Sequence, residues 1–414
     1  MEKKKIFVSA YACEPEKGSE IGVGWNWIME MSRQYDLWVL TRKSNQLNIE
    51  KWMRSNPDDR NITFIYYDLP SWMCRWKKGL RGVRVYYCLW QTGSNRLVKK
   101  TMEKNNIEIY HLLTYGNALW PASRYGMKRH FIWGPVGGTD TIPPMFSKHY
   151  DIKSRLIEWT RRMVVKLLPV NVGFRKRCKN ADVILCKSEN MIENILPKYR
   201  GKAVLFTDVA VDEKKLSVCN QNSQKKETYQ ADRVKYLAVG RLDAWRGFDL
   251  LIEAFGKAVR KNKNIYLEIL GTGRWKSKLQ RMVEQYDLTD NVILAGQVSE
   301  KEYLNRLEQA DVIINPTLKE GGVTVAFDSL GAAKPLICID TGGYTKSMGG
   351  NAIVIDRNSR KQIIGSLTEA IIRTTDRKER DAMRANAERL AERYTWREKG
   401  KAITHIVERM GKSG

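Results

Sequence analysis

Two carboxylates and a glycine turn lie close together in residues 314–343, which read INPTLKEGGVTVAFDSLGAAKPLICIDTGG. Glu320 precedes two glycines, and Asp328 follows eight positions later. Val323 and Thr324 then begin a predicted helix, whose free N–H groups and positive dipole end would face an anion. The stretch therefore predicts a site that combines a carboxylate with an anion-binding backbone.

Two arginines stand in a second stretch, residues 239–255, which read VGRLDAWRGFDLLIEAF. Arg241 directly follows a predicted strand, and Arg246 precedes the next predicted helix. Each guanidinium can make bidentate bonds to phosphate oxygens, so two of them beside a strand end suit a diphosphate. Taken alone, the pair is better explained as solvated surface charge, as most arginines are.

Glycine loops follow two further predicted strands. The stretch EPEKGSEIGVGWNW, at residues 14–27, contains Gly22 among three glycines and comes directly after the first predicted strand. Gly271 and Gly273 lie in LEILGTGR. At the carboxyl ends of parallel strands, glycines let a ligand approach the backbone beside helix N-termini. A tight turn is the alternative interpretation of the first loop.

Short apolar runs alternate with helical patterns along the chain, which is typical of parallel α/β architecture. The predicted strands are 5–10, 37–40, 62–67, 107–113, 130–133, 181–186, 203–206, 234–239, 265–270, 292–294, 312–314, 336–339 and 352–355. The predicted helices include 24–33, 248–259, 275–286, one that begins at about 323, and a largely helical tail over 363–410.

One polar stretch, CNQNSQKKETYQAD at residues 219–232, has no apolar periodicity and predicts a linker. We therefore predict an N-terminal domain over 1–215, a linker over 216–232, a second domain over 233–385 and a helical segment over 386–414. Two α/β halves joined by one linker make the cleft between them the default binding site.

The amino-acid composition limits the classes of protein to which this chain can belong. The 414 residues are 43% hydrophobic, which suits folded domains, and carry a net charge of +26, which favours an anionic partner. The seven cysteines and four histidines form no metal-spaced cluster and no CxxC pair, so buried reduced thiols are expected. No segment has the apolar length of a membrane span, and the N-terminus is expected to be a strand rather than a signal peptide. A cytoplasmic protein is predicted.

Two basic segments also contain aromatic residues: residues 72–90 and residues 151–179. In the second, Ile152, Leu156 and Trp159 recur at helical spacing among arginines and lysines. Basic amphipathic helices lie well on anionic membranes, so we predict peripheral membrane association. A core-facing helix with a basic outer face is the alternative for either segment alone. Nucleic acid is disfavoured because no recognised binding motif is present.

Taken together, the motifs resemble the retaining GT-B glycosyltransferases of the group 1 type, which use nucleotide-diphospho-sugars. The motifs that carry the resemblance are ACEPEKGSEIGVGW, GRLDAWRGFDLLIEAF, LEILGTG, NVILAGQVS and ADVIINPTLKEGGVTVAFDSLGAAKPLICIDTGG. The resemblance implies an α/β fold of two Rossmann-like, doubly wound domains that face a cleft. It also implies that the C-terminal helix packs back on the N-terminal domain.

By motif position, the resemblance assigns the donor site mainly to the second domain. Arg241 and Arg246 would clamp the diphosphate, although lysine is more usual at the second position. The N–H groups of Gly322, Val323 and Thr324 would also hold phosphates, with Gly22 on the N-terminal side. Glu320 would contact the donor sugar or the positive charge that develops on it.

The resemblance assigns the nucleoside to neighbouring strand ends. Gly273 and the segment from Gly296 to Val298 would lie along the base, mostly through the backbone. Asp328 would bind the ribose hydroxyls. It replaces the second glutamate of the family's E-x7-E pattern and is one methylene shorter.

On the N-terminal side, the resemblance implies that His111, at the end of IEIYHLL, touches the sugar or phosphate; capping of a strand is the alternative. Glu20, Gly138 and Asp140 would line the acceptor side, although turn chemistry explains an aspartate after glycine equally well.

The implied activity is transfer of a sugar from a nucleotide-diphospho-sugar to a saccharide acceptor, possibly lipid-linked, in polysaccharide or glycolipid biosynthesis. No cofactor and no obligatory metal are expected, because two arginines and a helix N-terminus could balance the departing phosphates. The alternatives are a GT-B nucleotide-sugar epimerase and a non-catalytic binder of anionic surfaces, in which Glu320 would be dispensable.

Overall fold

The computed structural model describes residues 3–57, 61–74, 82–212 and 233–410. The strands, in chain order, are β1 (Lys5–Ser9), β2 (Asp36–Arg42), β3 (Ile62–Tyr67), β4 (Ile109–Leu112), β5 (His130–Val136), β6 (Val183–Cys186), β7 (Ala203–Leu205), β8 (Val234–Val239), β9 (Ile265–Leu270), β10 (Val292–Gly296), β11 (Val312–Asn315), β12 (Leu336–Ile339) and β13 (Ala352–Ile355). Each predicted strand is therefore present, with ends that differ by up to three residues.

The helices lie between these strands and after the last of them. They are α1 (Ser19–Met31), α2 (Gln46–Ser55), α3 (Val83–Gly93), α4 (Asn95–Lys104), α5 (Pro144–Ser147), α6 (Ile152–Lys166), α7 (Val172–Asn180), α8 (Glu189–Asn194), α9 (Phe248–Val259), α10 (Lys276–Gln285), α11 (Glu300–Gln309), α12 (Val323–Gly331), α13 (Arg360–Arg373), α14 (Arg377–Ala391) and α15 (Trp396–Met410). In the part of the chain that the structure describes, no helix is long and apolar enough to cross a membrane.

The chain divides into two compact units. The first unit contains Met1–Thr139, Val164–Asp208 and Trp396–Gly414, and the second contains Asp140–Met163 and Val209–Thr395. The first holds a sheet in the order β3-β2-β1-β4-β5-β6-β7, and the second a sheet in the order β10-β9-β8-β11-β12-β13. All strand pairs in both sheets are parallel.

Each sheet reverses its strand order beside its first strand, between β1 and β4 in the first unit and between β8 and β11 in the second. Ligands of open α/β sheets bind outside the carboxyl ends of the strands at such a switch point. The strands are apolar and largely buried because helices cover both faces of a parallel sheet. The two reversals therefore mark where each unit can hold a site.

The division of the chain differs from the predicted domains at residues 140–163. These residues fall in the second unit because Ile142, Phe146 and Tyr150 are buried in its core, together with residues such as Phe248 and Trp275. Burial of such large apolar side chains contributes roughly 1.5–3 kcal/mol each. These residues therefore belong to the unit whose core they fill, although the first unit precedes and follows them in the sequence. The predicted linker, 216–232, lies outside the described residues.

The C-terminal helices divide between the units. In the second unit, α14 packs against α12. In the first unit, α15 packs against α1, buries Trp396, Ile403 and Val407, and places Lys399 Nζ 2.6 Å from the Thr207 carbonyl oxygen. Only residues from Trp396 onward, and not the whole predicted segment from 386, therefore lie with the N-terminal sheet.

The first helix begins five residues earlier than predicted. Gly22 lies inside α1 rather than in a loop, and a Cβ at this position would collide with the Lys17 carbonyl oxygen. Gly24 likewise lies against the Ala12 carbonyl oxygen. The glycines that suggested a loop instead allow the helix to pack closely on the chain that precedes it.

Candidate functional site

Loops from the two central strands meet at the carboxyl edge of the second sheet. The loop after β8 contains Arg241 and Arg246, and the loop after β11 contains Glu320. Leu318 N–H donates to the Trp245 carbonyl oxygen at 3.0 Å, which ties the two loops together across the switch point. The two predicted halves of the donor site are therefore adjacent in the structure.

Glu320 is held by the loop that follows β12. Its Oε2 accepts a hydrogen bond from Thr341 Oγ1 at 2.6 Å, and its Oε1 accepts one from Tyr344 N at 3.4 Å. A Cβ at Gly343 would collide with the carboxylate, so this position leaves room for it. Because the carboxylate is fixed in place and half-buried, it can act on a bound group with little loss of conformational entropy.

The glycine turn before α12 is held by an asparagine that sequence reasoning missed. Gly322 has a φ of 70°, which favours glycine. Asn315 Nδ2 donates to Gly321 O at 3.2 Å and to Tyr344 Oη at 2.7 Å. Gly322 is the N-cap of α12 and has no side chain to bond the first N–H groups, so those of Val323 and Thr324 start the helix without a side-chain cap.

Arg246 is a partly buried cation with donors to spare. Its Cζ lies 4.3 Å from the centre of the Trp245 ring. In the described part of the chain, its buried Nε and Nη1 have no hydrogen-bond partner. Burial lowers the pKa of Arg246 to about 10, against the opposing effect of Asp243. Such unsatisfied buried donors are rare and suit an anion.

Arg241 differs from Arg246 although both were assigned to the diphosphate. Its side chain is 75% exposed and pairs with Asp243, with Nη2 to Oδ2 at 3.0 Å. An exposed arginine that already pairs with a carboxylate must give up that partner before it can bind an anionic ligand. It therefore contributes little net free energy to ligand binding. Arg246 therefore has more unsatisfied donors than Arg241, and the diphosphate role of both stays a prediction.

The strand ends assigned to the nucleoside lie on the other side of β8. The Gly296 carbonyl oxygen accepts from Gly271 N at 2.7 Å, and a Cβ at Gly273 would collide with the Leu242 backbone. Val298 is half-buried beyond β10. These close backbone approaches explain why glycine occupies these positions. The base-binding role of these residues stays a prediction.

Asp328 lies on α12, one turn beyond its start. Its Oδ2 accepts a hydrogen bond from Tyr303 Oη of α11 at 3.0 Å, and the carboxylate is half-buried. Tyr303 was not among the predicted site residues, because nothing in the sequence brings α11 next to α12. The predicted ribose contact of Asp328 stays a prediction.

His111 lies inside the first unit with no exposed surface. Its Nε2 donates to the Gly134 carbonyl oxygen at 2.7 Å, and its ring packs against Trp27. Burial lowers the pKa of His111 to about 4, so the ring is neutral at pH 7. The predicted contact with sugar or phosphate is not supported by this buried position, because direct contact needs an accessible ring.

Glu20 is part of a charged cluster at the carboxyl edge of the first sheet. Its Oε1 accepts from Tyr115 N at 2.7 Å, which ties the first turn of α1 to the loop after β4. Lys187 and Asp208 form an ion pair at 2.5 Å, and both act on the pKa of Glu20. Burial raises the pKa of Glu20, while the Lys187 ammonium lowers it. Lys187 and Asp208 were missed because they come from distant segments.

The two other acceptor-side predictions fall in different units. Gly138 lies in the first unit, where a Cβ would collide with the Asn117 side chain. Asp140 lies in the second unit, where its charge raises the pKa of Lys319. The pair therefore does not form one surface within a unit, although the two residues are close in sequence.

No group of three or more potential metal ligands occurs among the described histidines, cysteines, aspartates and glutamates. The described cysteines Cys13, Cys88, Cys178, Cys186 and Cys338 are free, and all except Cys88 are buried. The expectation of a metal-independent reaction stays a prediction.

Comparison with known proteins identifies the family of the second half of the chain. Residues 220–390 match the model of the family described as glycosyl transferases group 1. These residues belong to the group 1 glycosyltransferases. The resemblance to the group 1 glycosyltransferases is thereby confirmed, while the retaining mechanism and the residue roles that it implies stay predictions.

Curated relatives match this chain in part. An uncharacterized glycosyltransferase of Methanocaldococcus jannaschii is 26% identical over 39% of this chain and 40% of the relative. Protein CapJ of Staphylococcus aureus is 24% identical over 44% of each chain. A GDP-mannose-dependent phosphatidylinositol monomannoside mannosyltransferase of Corynebacterium glutamicum is 25% identical over 41% of this chain and 45% of the relative. The chain spans less than half the length of each of these three relatives.

Solved structures agree over nearly the whole chain. A glycosyltransferase from Rickettsia africae has a TM-score of 0.62 at 13% identity and covers 100% of both chains. WaaG, a glycosyltransferase involved in lipopolysaccharide biosynthesis, has a TM-score of 0.57 at 15% identity, over 97% of this chain and 99% of the other. At such identities the likeness shows the fold, and the GT-B fold with two Rossmann-like, parallel-sheet domains is confirmed.

Proposed function

We propose that this protein is a glycosyltransferase that transfers a sugar from a nucleotide-diphospho-sugar to a saccharide acceptor, with retention of configuration. The observation that carries the proposal is the partly buried Arg246, whose Nε and Nη1 have no partner among the described residues and whose loop is bonded to the loop of Glu320. A partly buried guanidinium with two unsatisfied donors beside a fixed carboxylate suits a substrate with a negative diphosphate and an electron-deficient sugar.

Each group has a place in the proposed reaction. As the bond from sugar to diphosphate breaks, positive charge grows on the sugar and negative charge on the leaving phosphates. Arg246 and the first N–H groups of α12 stabilise the phosphates, and Glu320 stabilises the sugar. No cofactor or obligatory metal is needed for this charge balance.

The donor class is supported by two relatives whose names state their ligands. Anabaena HepE, in complex with UDP, has a TM-score of 0.59 at 12% identity over 98% of this chain and 99% of the other. The relative from Corynebacterium glutamicum is named as GDP-mannose-dependent. These names support a nucleoside diphosphate and leave the choice of base to experiment.

A lipid-linked saccharide is the acceptor that we propose, presented at the cytoplasmic face of an anionic membrane. The outer face of α6 supports this, because Ile152, Leu156 and Trp159 are 83%, 60% and 53% exposed beside the exposed basic residues Lys153 and Arg155. Apolar and basic side chains on one helix face favour an anionic lipid surface. The relative named for a phosphatidylinositol mannoside points to the same acceptor class.

The donor proposal is tested with UDP-, GDP-, ADP- and dTDP-sugars added to the full-length protein. A donor that binds the folded state raises the melting temperature, and slow hydrolysis releases free nucleoside diphosphate. An epimerase would instead return an altered nucleotide-sugar. Absence of both stabilisation and turnover with every donor would refute the proposed function.

The membrane proposal is tested by sedimentation with vesicles of phosphatidylcholine alone or mixed with phosphatidylglycerol. We expect binding only to the anionic vesicles, and weaker binding after Leu156→Ala together with Trp159→Ala. Leu47→Ala is the matched control, since Leu47 is 73% exposed but lies on α2. Equal losses in the control, or no binding by the unaltered protein, would exclude α6 as the contact surface.

A further inference from the structure

A buried ion pair lies beside the loop that carries Glu320. Lys319 Nζ is 2.8 Å from Glu158 Oε1, and the two side chains are 7% and 4% exposed. Lys319 directly precedes Glu320, whereas Glu158 comes from α6, about 160 positions earlier in the chain. A buried pair repays little of its desolvation cost as net stability, so its presence beside a site suggests a role in fixing geometry.

Lys319 and Arg246 contact the same indole. Lys319 Nζ lies 4.6 Å from the centre of the Trp245 ring, and Arg246 Cζ lies 4.3 Å from it. Gly321 also faces this ring, because a Cβ there would lie 2.9 Å from Trp245 Cζ3. A cation over an aromatic face contributes roughly 0.5–2 kcal/mol, more when the pair is desolvated. Trp245 is therefore fixed by Lys319 while it supports the guanidinium of Arg246.

The helix that supplies Glu158 is itself fixed at a second point. Asp151, at the start of α6, accepts hydrogen bonds from Ser154 N at 3.0 Å and from Trp275 Nε1 at 2.9 Å. Trp275 follows the glycine loop after β9. The first half of α6 is therefore held against two loops of the second sheet, and its one acidic side chain points inward to Lys319.

We propose that the Glu158–Lys319 ion pair positions Trp245, and through it the guanidinium of Arg246, for binding of the donor diphosphate. Lys319 and Glu158 are positioning residues and do not touch the substrate. The inference rests on the proposed function, because it assigns a cause to the geometry of the same diphosphate site.

Charge balance explains why a paired lysine is needed. Two bare cations on one ring would repel each other, but Glu158 neutralises Lys319 and leaves the positive charge of Arg246 for the ligand. The other charged groups that act on Lys319 are Arg161 of α6 and Asp140. Loss of Glu158 would leave an excess of buried positive charge, which favours deprotonation or displacement of Lys319.

The pair also predicts a pH dependence. Burial and the nearby Arg161 lower the pKa of Lys319 to about 8, against the raising effects of Glu158 and Asp140. Below this pH the ammonium is charged and paired. Above it the lysine is neutral, and Glu158 keeps only the longer contact of its Oε2 with Arg161 Nε at 3.9 Å. Diphosphate affinity should therefore weaken between pH 7 and pH 9, a range in which Arg246, with a pKa of about 10, keeps its charge.

The experiment uses the full-length protein and UDP, GDP and ADP in titration calorimetry, with the tightest binder carried forward. Lys319→Met should raise its dissociation constant about tenfold, and the pH step near 8 should disappear. Arg246→Ala should raise the constant further, and Lys319→Met added to it should have no additional effect, because Lys319 acts through Arg246. Lys319→Arg should restore part of the affinity.

Several outcomes separate the possibilities. Lys99→Met, in an exposed pair on α4, is the control and should bind like the unaltered protein. Unchanged affinity in Lys319→Met and Glu158→Gln, or an undiminished effect of Lys319→Met in the Arg246→Ala background, would overturn the positioning role alone. Were the single variants to fail to fold, the absence of a pH step in the unaltered protein would still contradict it. Failure of the unaltered protein to bind any of the three nucleotides, and dTDP as well, would instead reject the proposed function.

Discussion

The carboxyl edges of the two sheets are built alike, but they differ in how completely their charged side chains are paired within the protein. In each, a hydrogen bond ties the loops of the two strands at the switch point: Ala12 N to Thr114 Oγ1 in the first unit and Leu318 N to the Trp245 carbonyl in the second. In the first unit the charges then satisfy one another, as in the Lys187–Asp208 pair. In the second unit Arg246 keeps donors that no described residue satisfies.

This difference indicates what each edge can bind. Buried donor groups without hydrogen-bond partners destabilise the folded protein, and an arriving anion that accepts from them removes that cost. A cluster whose charges are already paired gains little from an anion but can still exchange hydrogen bonds with neutral hydroxyl groups. We therefore expect the diphosphate at the second edge and the hydroxyl groups of the acceptor at the first.

The largest expected effect concerns the fixed carboxylate of the second edge. Glu320→Gln keeps the size of the side chain but removes its charge, so the rate of sugar transfer should fall about 10²–10³-fold, as for loss of other electrostatic groups. Nucleoside diphosphate affinity should change little. Steady-state kinetics measure the rate of transfer, and calorimetry measures the nucleotide affinity. An unchanged rate would show that Glu320 has no role in the reaction.

The two arginines provide a sharper test of the same edge. Arg246→Ala should weaken nucleoside diphosphate binding about 100-fold, because a hydrogen bond to a charged partner contributes about 1.5–3 kcal/mol. Arg241→Ala should weaken it less than tenfold, since this side chain is exposed and paired with Asp243. Calorimetry on both variants checks the order, and the reverse order would contradict the distinction between free and paired cations.

Lys399 tests whether the first unit uses its charges for stability. Burial lowers the pKa of Lys399 to about 7, so the unfolded chain binds this proton more tightly and folding gains stability as pH rises from 7 toward 10.5. Relative to Lys399→Met, the unaltered protein should gain up to about 2 kcal/mol of unfolding free energy between pH 7 and pH 9. Urea unfolding measures this, and nucleotide binding should be unchanged.

The exposed Lys401 on the same helix supplies the control for that measurement. It pairs with Glu398 at the surface, so Lys401→Met should leave the pH dependence of unfolding as it is. If the gain in unfolding free energy between pH 7 and pH 9 were the same in Lys399→Met and Lys401→Met, burial of Lys399 would not be the cause of that gain.

The smallest expected effect concerns the acceptor. Glu20→Gln removes one charge from the paired cluster but retains its hydrogen-bonding oxygen, so the KM for the acceptor should rise about 3- to 10-fold, with the nucleotide dissociation constant unchanged. Kinetics with varied acceptor and saturating donor measure the first quantity. If Glu20→Gln changed the nucleotide dissociation constant more than the KM for the acceptor, the proposed difference between the two sheet edges would be wrong.

The fold was largely predictable because each strand is a short apolar run bounded by polar or glycine residues, and parallel sheets bury both strand faces. The start of α1 was not, since Gly22 and Gly24 are equally compatible with a loop. Their close approach to backbone oxygens is a property of the packed chain, which the sequence does not show. Residues 140–163 joined the second unit for a similar reason, because the destination of Ile142 and Phe146 depends on which core they fill.

For the candidate site, the sequence supplied residues that stand within one motif, such as Glu320, Arg246 and the glycine turn. It did not supply Asn315, Thr341 or Trp245, whose contacts depend on how three loops meet. For His111, the position at the end of a strand was predictable, but its complete burial was not.

What the sequence determined by itself was the local order of the chain: where strands and helices run, which loops carry glycine, carboxylate and guanidinium, and which family these motifs resemble. Spacing along the chain controls these features. The tertiary structure alone decided which charges are satisfied. Glu158 meets Lys319 across about 160 positions, and Arg246 does not meet any described acceptor at Nε or Nη1. Desolvation and pairing depend on distance in space, and only the folded chain sets that distance.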